Sequence, residues 1–220
     1  MIPLRDNIPS KTFPLVTIGI ILANVVIFIY QLMLGTGEES FLWKYGAVAK
    51  AIISFQPVHP ASTIPPILTL ITAQFLHGSI WHLGGNMLFL WTFGDNVEDK
   101  LGHIKFIIFY LICGIISILA QVAVASSAMV PLIGASGAIA GVMGAYIVRF
   151  PQARIQTLLI IFFFIRIVSI PAFVFLGLWF VFQLLVGAPT VGNTQSGVAY
   201  FAHIGGFLAG MLLFKFMEKE

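Results

Sequence analysis

What most constrains this chain is the recurrence of apolar runs about as long as a bilayer is thick. A helix needs about 20 mainly apolar residues to cross the hydrocarbon. Such runs recur at roughly 13–34, 81–98, 104–125, 134–150, 168–187 and 198–217. The expected fold is therefore an all-α polytopic membrane protein, a bundle of six transmembrane helices formed as a single domain over residues 1–220. Charge supports the same reading. Only 9% of residues are charged and 59% are hydrophobic, whereas a soluble domain is about a quarter charged. Most side chains must then face lipid or another apolar helix.

The connections are less regular. Residues 35–80 hold Glu38, Glu39, Trp43, Lys44, Lys50 and four prolines, a pattern expected to lie in the interface or to dip into the membrane without spanning it. The stretch 155–167 is apolar but interrupted by Arg166 and followed by Pro171, and is read as an interfacial lead-in to the fifth span. The first run is too long for a signal-peptide core and is read as a retained span. Cys113 has no second cysteine to pair with.

Positive residues are retained on the cytoplasmic side. With a cytoplasmic N-terminus, that side receives Arg5, Lys11, Lys100, Lys105, Arg149, Arg154, Lys215 and Lys219, and the outer side only Lys44 and Lys50. Both termini are thus expected inside. The net charge of +3 is a topology signal, and no nucleic-acid partner is expected.

With this orientation the second, fourth and sixth spans begin on the outer side. His82 and Asn86 open the second, Ser136 in the turn Gly134-Ala135-Ser136-Gly137 opens the fourth, and His203 lies early in the sixth. All four should share one depth. Small residues at helical spacing let backbones approach closely: Ser136, Ala140 and Gly144 with Gly137, Gly141 and Ala145 on the fourth span, and Ala199, His203, Gly206 and Gly210 on the sixth. Close approach would bring a hydroxyl within reach of an imidazole, as nucleophilic catalysis requires. His82 and Asn86, four apart on one helix face, and the Ser136 N–H could then hold an oxyanion. No acidic residue falls in the outer half of a span, since Asp95, Glu98 and Asp99 close the second span at its inner end. Any catalysis would use a Ser-His dyad.

The segments Phe75-Leu76-His77-Gly78, Trp81-His82-Leu83-Gly84-Gly85-Asn86-Met87, Phe93-Gly94-Asp95-Asn96, Gly134-Ala135-Ser136-Gly137 and Ala202-His203-Ile204-Gly205-Gly206, in this order, resemble the rhomboid intramembrane serine proteases. The resemblance covers nearly the whole chain and implies the basic six-helix form. It implies that Ser136 is the nucleophile and His203 the general base and acid, with His82, Asn86 and the Ser136 backbone as oxyanion hole. It also implies transmembrane proteins as substrates, cut near the outer face of the bilayer without cofactor or metal. Two positions depart from the family pattern. Members carry a Tyr four residues after the serine, packed on the imidazole, where this chain has Ala140, so another group must hold His203. The first loop has Trp43-Lys44 where some members have Trp-Arg, and no role is carried over to it. Lateral substrate entry near the second and fifth spans is expected from the family, with Trp179, Phe180 and Phe182 as gate-lining bulk. Nothing resembles a mitochondrial presequence, so a prokaryotic plasma membrane is the expected location.

Other classes fit less well. Gly-x-Ser-Gly alone is a weak signal, and His82, Asn86 and His203 taken singly would pass as interhelical hydrogen-bonding residues. A transporter would distribute polar groups through the bundle, and here the inner halves are nearly bare. A haem between His82 and His203 would need room that the small-residue stripes deny. The serious rival is a rhomboid-like protein that binds membrane clients without cutting them. Such proteins lack the Ser or the His, and this chain has both.

Overall fold

The computed structural model describes residues 1–161, 163–192 and 198–218. Nine helices run through these residues: α1 (Leu15–Met33), α2 (Glu38–Tyr45), α3 (Ala49–Ser54), α4 (Thr69–Thr72), α5 (Ile80–Leu101), α6 (His103–Val124), α7 (Ser136–Arg149), α8 (Ala172–Gly187) and α9 (Tyr200–Met217). Four segments are long and apolar enough to cross a membrane: α1, α6, α8 with its 3-10 extension to Thr190, and α9. Helix α5 has the length but carries a charged C-terminal end, and α7 is only 14 residues long. At about 1.5 Å per residue α7 is roughly 21 Å long, less than a hydrocarbon core of about 30 Å. It can be short because it is enclosed: Gly137 through Tyr146 are all buried. The connection after α1 resolves into short helices and 3-10 turns, as its prolines demand.

One expectation is corrected here. Residues 155–167 are not an extension of the fifth helix, and that helix does not start at 168. The segment forms a hairpin of β2 (Arg154–Ile161) and β3 (Phe164–Pro171), and α8 begins at Ala172. An N-terminal strand, β1 (Ile2–Arg5), pairs antiparallel with β2, giving the order β1-β2-β3. The register sets Ile2 opposite Leu158 and Arg154 opposite Pro171. The residues explain it: Ile165, Ile167 and Val168 are β-branched, and Arg166 and Ser169 break the apolar run in a way a strand tolerates. Pro171, extended at ψ 140°, stops the ladder and starts the helix.

Near the C-terminus of α5, its carboxylates complete other elements. Pro14 offers no side chain to cap α1. Glu98, fully buried, accepts from the Val16 N–H at 2.9 Å and from the Thr17 N–H and hydroxyl at 2.8 and 2.7 Å. These bonds satisfy donors at the positive end of the α1 dipole. His103 adds its Nδ1 at 2.5 Å. Asp99 takes the Lys11 and Thr12 N–H groups in the same way. Asp6, just past β1, accepts from the Tyr146 hydroxyl and from Asn96 Nδ2. Burial pushes its carboxyl up from the ordinary value, against the lowering effect of Tyr146.

Helices α7 and α9 meet backbone to backbone. A Cβ on Gly206 would stand 2.0 Å from the Gly137 carbonyl oxygen, one on Gly210 1.9 Å from that of Gly141, and one on Gly144 2.1 Å from that of Phe207. No real Cβ tolerates these distances, so three glycines set the helix separation.

Candidate active site

Ser136 is the first residue of α7, and His203 lies in the first turn of α9. The glycine contacts that draw these helices together place His203 Nε2 2.9 Å from Ser136 Oγ. Gly134, two residues before Ser136, has φ +121°, a conformation that favours glycine. Its N–H bonds to the Ala73 carbonyl at 2.9 Å, and a Cβ here would lie 2.7 Å from His82 Nε2. The turn is therefore shaped both by its backbone and by the imidazole beside it.

His82 and Asn86 sit in the first two turns of α5, whose N-cap Ser79 accepts from the His82 N–H at 3.1 Å. Together with Ser136 and His203 they line one cavity of about 640 Å³. All four sequence-predicted residues are thus brought together. The Asn86 amide is held from behind, its Nδ2 lying 2.9 Å from His77 Nε2. His77 is clamped in turn by Gln31, which donates to its carbonyl at 2.9 Å and accepts from its N–H at 3.1 Å. Burial, reinforced by neighbouring His82, lowers the His77 pKa to about 4. His77 is consequently neutral at ordinary pH, and its Nε2 can accept the Asn86 proton. That bond uses one proton of the Asn86 amide nitrogen and leaves the other free to donate.

The residue that holds His203 comes from a helix sequence reasoning had treated only as aromatic bulk. Gln183 of α8, buried, presents Oε1 to His203 Nδ1 at 2.8 Å. Trp179, one turn earlier, lies with its ring centroid 6.0 Å from the imidazole. Ala140 is fully buried in the core and projects nothing toward the ring. A signal was present: Gln183 is the only polar side chain in α8, and an isolated polar group in a lipid-facing helix calls for a partner. Of the other aromatics there, Phe180 stacks on Phe207 at 4.8 Å, and Phe182 is exposed.

No carboxylate, Lys or Arg lines the cavity among the described residues. A hydroxyl bonded to an imidazole at the head of a helix, facing donors across an apolar cavity, can perform acyl transfer. The rhomboid-domain family model matches residues 66–219. The chain belongs to the rhomboid family. Among similar proteins are the presenilin-associated rhomboid-like protein, mitochondrial, of Bos taurus, 30% identical over 88% of this chain and 46% of the relative. Rhomboid protein 1, mitochondrial, of Saccharomyces cerevisiae is 34% identical over 69% of this chain and 42% of the relative. RHOMBOID-like protein 6, mitochondrial, of Arabidopsis thaliana is 31% identical over 88% and 66% respectively. This rhomboid spans about half the length of the bovine and yeast relatives. It is a multi-pass integral membrane protein, mostly helical.

Proposed function

We propose that this rhomboid is an intramembrane serine endopeptidase that cuts transmembrane proteins with a Ser136-His203 dyad. The observation that carries the reading is the 2.9 Å contact between His203 Nε2 and Ser136 Oγ inside a cavity that His82 and Asn86 also line. In the proposed reaction Ser136 Oγ attacks the scissile carbonyl while His203 Nε2 takes its proton and passes it to the leaving amine. The Ser136 N–H at the positive end of α7, with His82 and Asn86, stabilises the oxyanion. Water then releases the acyl group by the reverse sequence of proton transfers. The mainly apolar cavity wall, with Trp81 and Trp179, suits a substrate arriving from lipid.

In the same reading residues 1–220 form one domain, and α5 and α7 complete a bundle of six spans. The Lys and Arg distribution favours both termini on the positive-inside face and the dyad toward the opposite one. The named relatives are mitochondrial proteins and lend no support to the expected prokaryotic plasma membrane. What is proposed is the orientation, whichever bilayer holds the chain.

Ser136→Ala and His203→Ala should each lower cleavage of a reporter transmembrane protein by about 10,000-fold or more in liposomes, with the unfolding transition retained. Wild-type cleavage by either folded variant would rule the dyad out, whereas binding of the reporter without cleavage by the wild type itself would favour a client-binding role.

A further inference from the structure

Resting on the protease reading, we propose that Gln183 is the positioning residue of the dyad. Its amide oxygen accepts the Nδ1 proton of His203 and so fixes the imidazole tautomer whose Nε2 is free to receive the Ser136 proton. The two contacts stand on opposite edges of one ring, 2.8 Å from Gln183 Oε1 to Nδ1 and 2.9 Å from Nε2 to Ser136 Oγ. A neutral imidazole carries one proton on one of two nitrogens. With Nδ1 protonated, Nε2 is a base. With Nε2 protonated, the Ser136 hydroxyl meets a donor and loses its acceptor.

Three observations point to this role. Gln183 is 6% exposed in a helix otherwise apolar from Ala172 to Gly187, so it occupies its position at a desolvation cost that a hydrogen bond must offset. Trp179, four residues earlier and hence on the same face, flanks the imidazole at 6.0 Å, so a single helix supplies both the ring contact and the hydrogen bond. Finally, α7 supplies neither, because Ala140 stands four residues after the serine and is buried in the core. An amide also suits a membrane interior better than an acid would. It orients the ring without placing an anion in a low-dielectric site, where an unpaired charge is costly.

Other groups near the ring do not compete for Nδ1. From α7 the imidazole meets Ser136, which takes Nε2; from α9 the Tyr200 ring lies 6.5 Å away, edge-on; His82 of α5 lines the same cavity. His82 and Tyr200 are thus the titratable side chains that share this environment with His203.

Three measurements test the proposal on the full chain in liposomes. In Gln183→Leu, kcat for a transmembrane reporter should fall about 10- to 100-fold with KM unchanged. In Gln183→Glu, close in size and shape, an anion beside Nδ1 raises the imidazole pKa, so the acidic limb of kcat/KM should move up by about one pH unit or more. With 15N-histidine labelling, His203, identified by its loss in His203→Asn, should show a protonated Nδ1 and bare Nε2 in the wild type, and a mixture of tautomers in Gln183→Leu. A loss of packing alone would move neither the pH limb nor the tautomer. If Gln183→Leu does not fold, the Gln183→Glu profile and the wild-type spectrum decide the matter. Native kcat in Gln183→Leu, an unmoved limb in Gln183→Glu, or a wild-type His203 protonated at Nε2 would each overturn it. Failure of the dyad reading looks different: folded Ser136→Ala would still cleave, whatever tautomer His203 shows.

Discussion

Gly206→Ala tests the link between helix packing and chemistry. The added Cβ would lie 2.0 Å from the Gly137 carbonyl oxygen, whereas real Cβ atoms essentially never come within 3.0 Å of a neighbour. The obstacle is backbone, so no rotamer change relieves it, and α9 must move from α7 by about 1 Å. His203 stands three residues earlier on the same helix and moves with it, which takes the 2.9 Å bond to Ser136 out of hydrogen-bond range. A misplacement of about 1 Å can lower a rate on the order of 100-fold, and overpacking of this kind costs about 1–3 kcal/mol of stability. Reporter cleavage in liposomes and unfolding in mixed micelles should register both effects. Gly84→Ala is the control, since a Cβ there meets nothing within 4 Å. It should leave the unfolding transition in place or raise it, because Ala favours helix over Gly by about 1 kcal/mol. A Gly206→Ala protein as active and as stable as the wild type would refute the backbone-to-backbone packing of α7 on α9 and the reasoning built on it.

Two further outcomes follow from other contacts. Asn86→Ala removes one oxyanion donor while the Ser136 N–H remains, so kcat should fall about 100- to 1000-fold with little change in KM in steady-state reporter kinetics. Glu98→Ala strips the buried acceptor of the Val16 and Thr17 donors and of His103. The unfolding free energy should drop by about 3–5 kcal/mol in denaturant titration, and an unchanged midpoint would mean that α1 needs no such cap.

Much of this arrangement was legible because a membrane simplifies the code. Run length located the helices to within a few residues, and side of entry placed His82, Asn86, Ser136 and His203 at one level before any distance was known. What hydropathy cannot do is tell an apolar strand from an apolar helix. Residues 155–167 carry too much Ile, Leu and Phe for their β-branched content and their partner Ile2–Arg5, far away in sequence, to be seen. Gln183 escaped for a different reason. A search for a third catalytic partner that counts only carboxylates overlooks the neutral amide, which is the cheaper group to bury in lipid. By local pattern Glu98 and Asp99 only close their own helix, whereas in the fold they reach across to the start of α1, a pairing that no local pattern encodes.

The small sheet also orders events in time. Strand β1 is synthesised well before its partners, since Leu158 and the Tyr146 hydroxyl that meets Asp6 emerge about 150 residues later. At about 5–20 residues per second, the leading segment waits for roughly 8 to 30 s. Through that interval α1 is already made while the ladder on its amino side has nothing to pair with. Closure of β1 onto β2 therefore cannot precede the synthesis of α7 and β2, and a chain stalled before that stage would present an open strand edge.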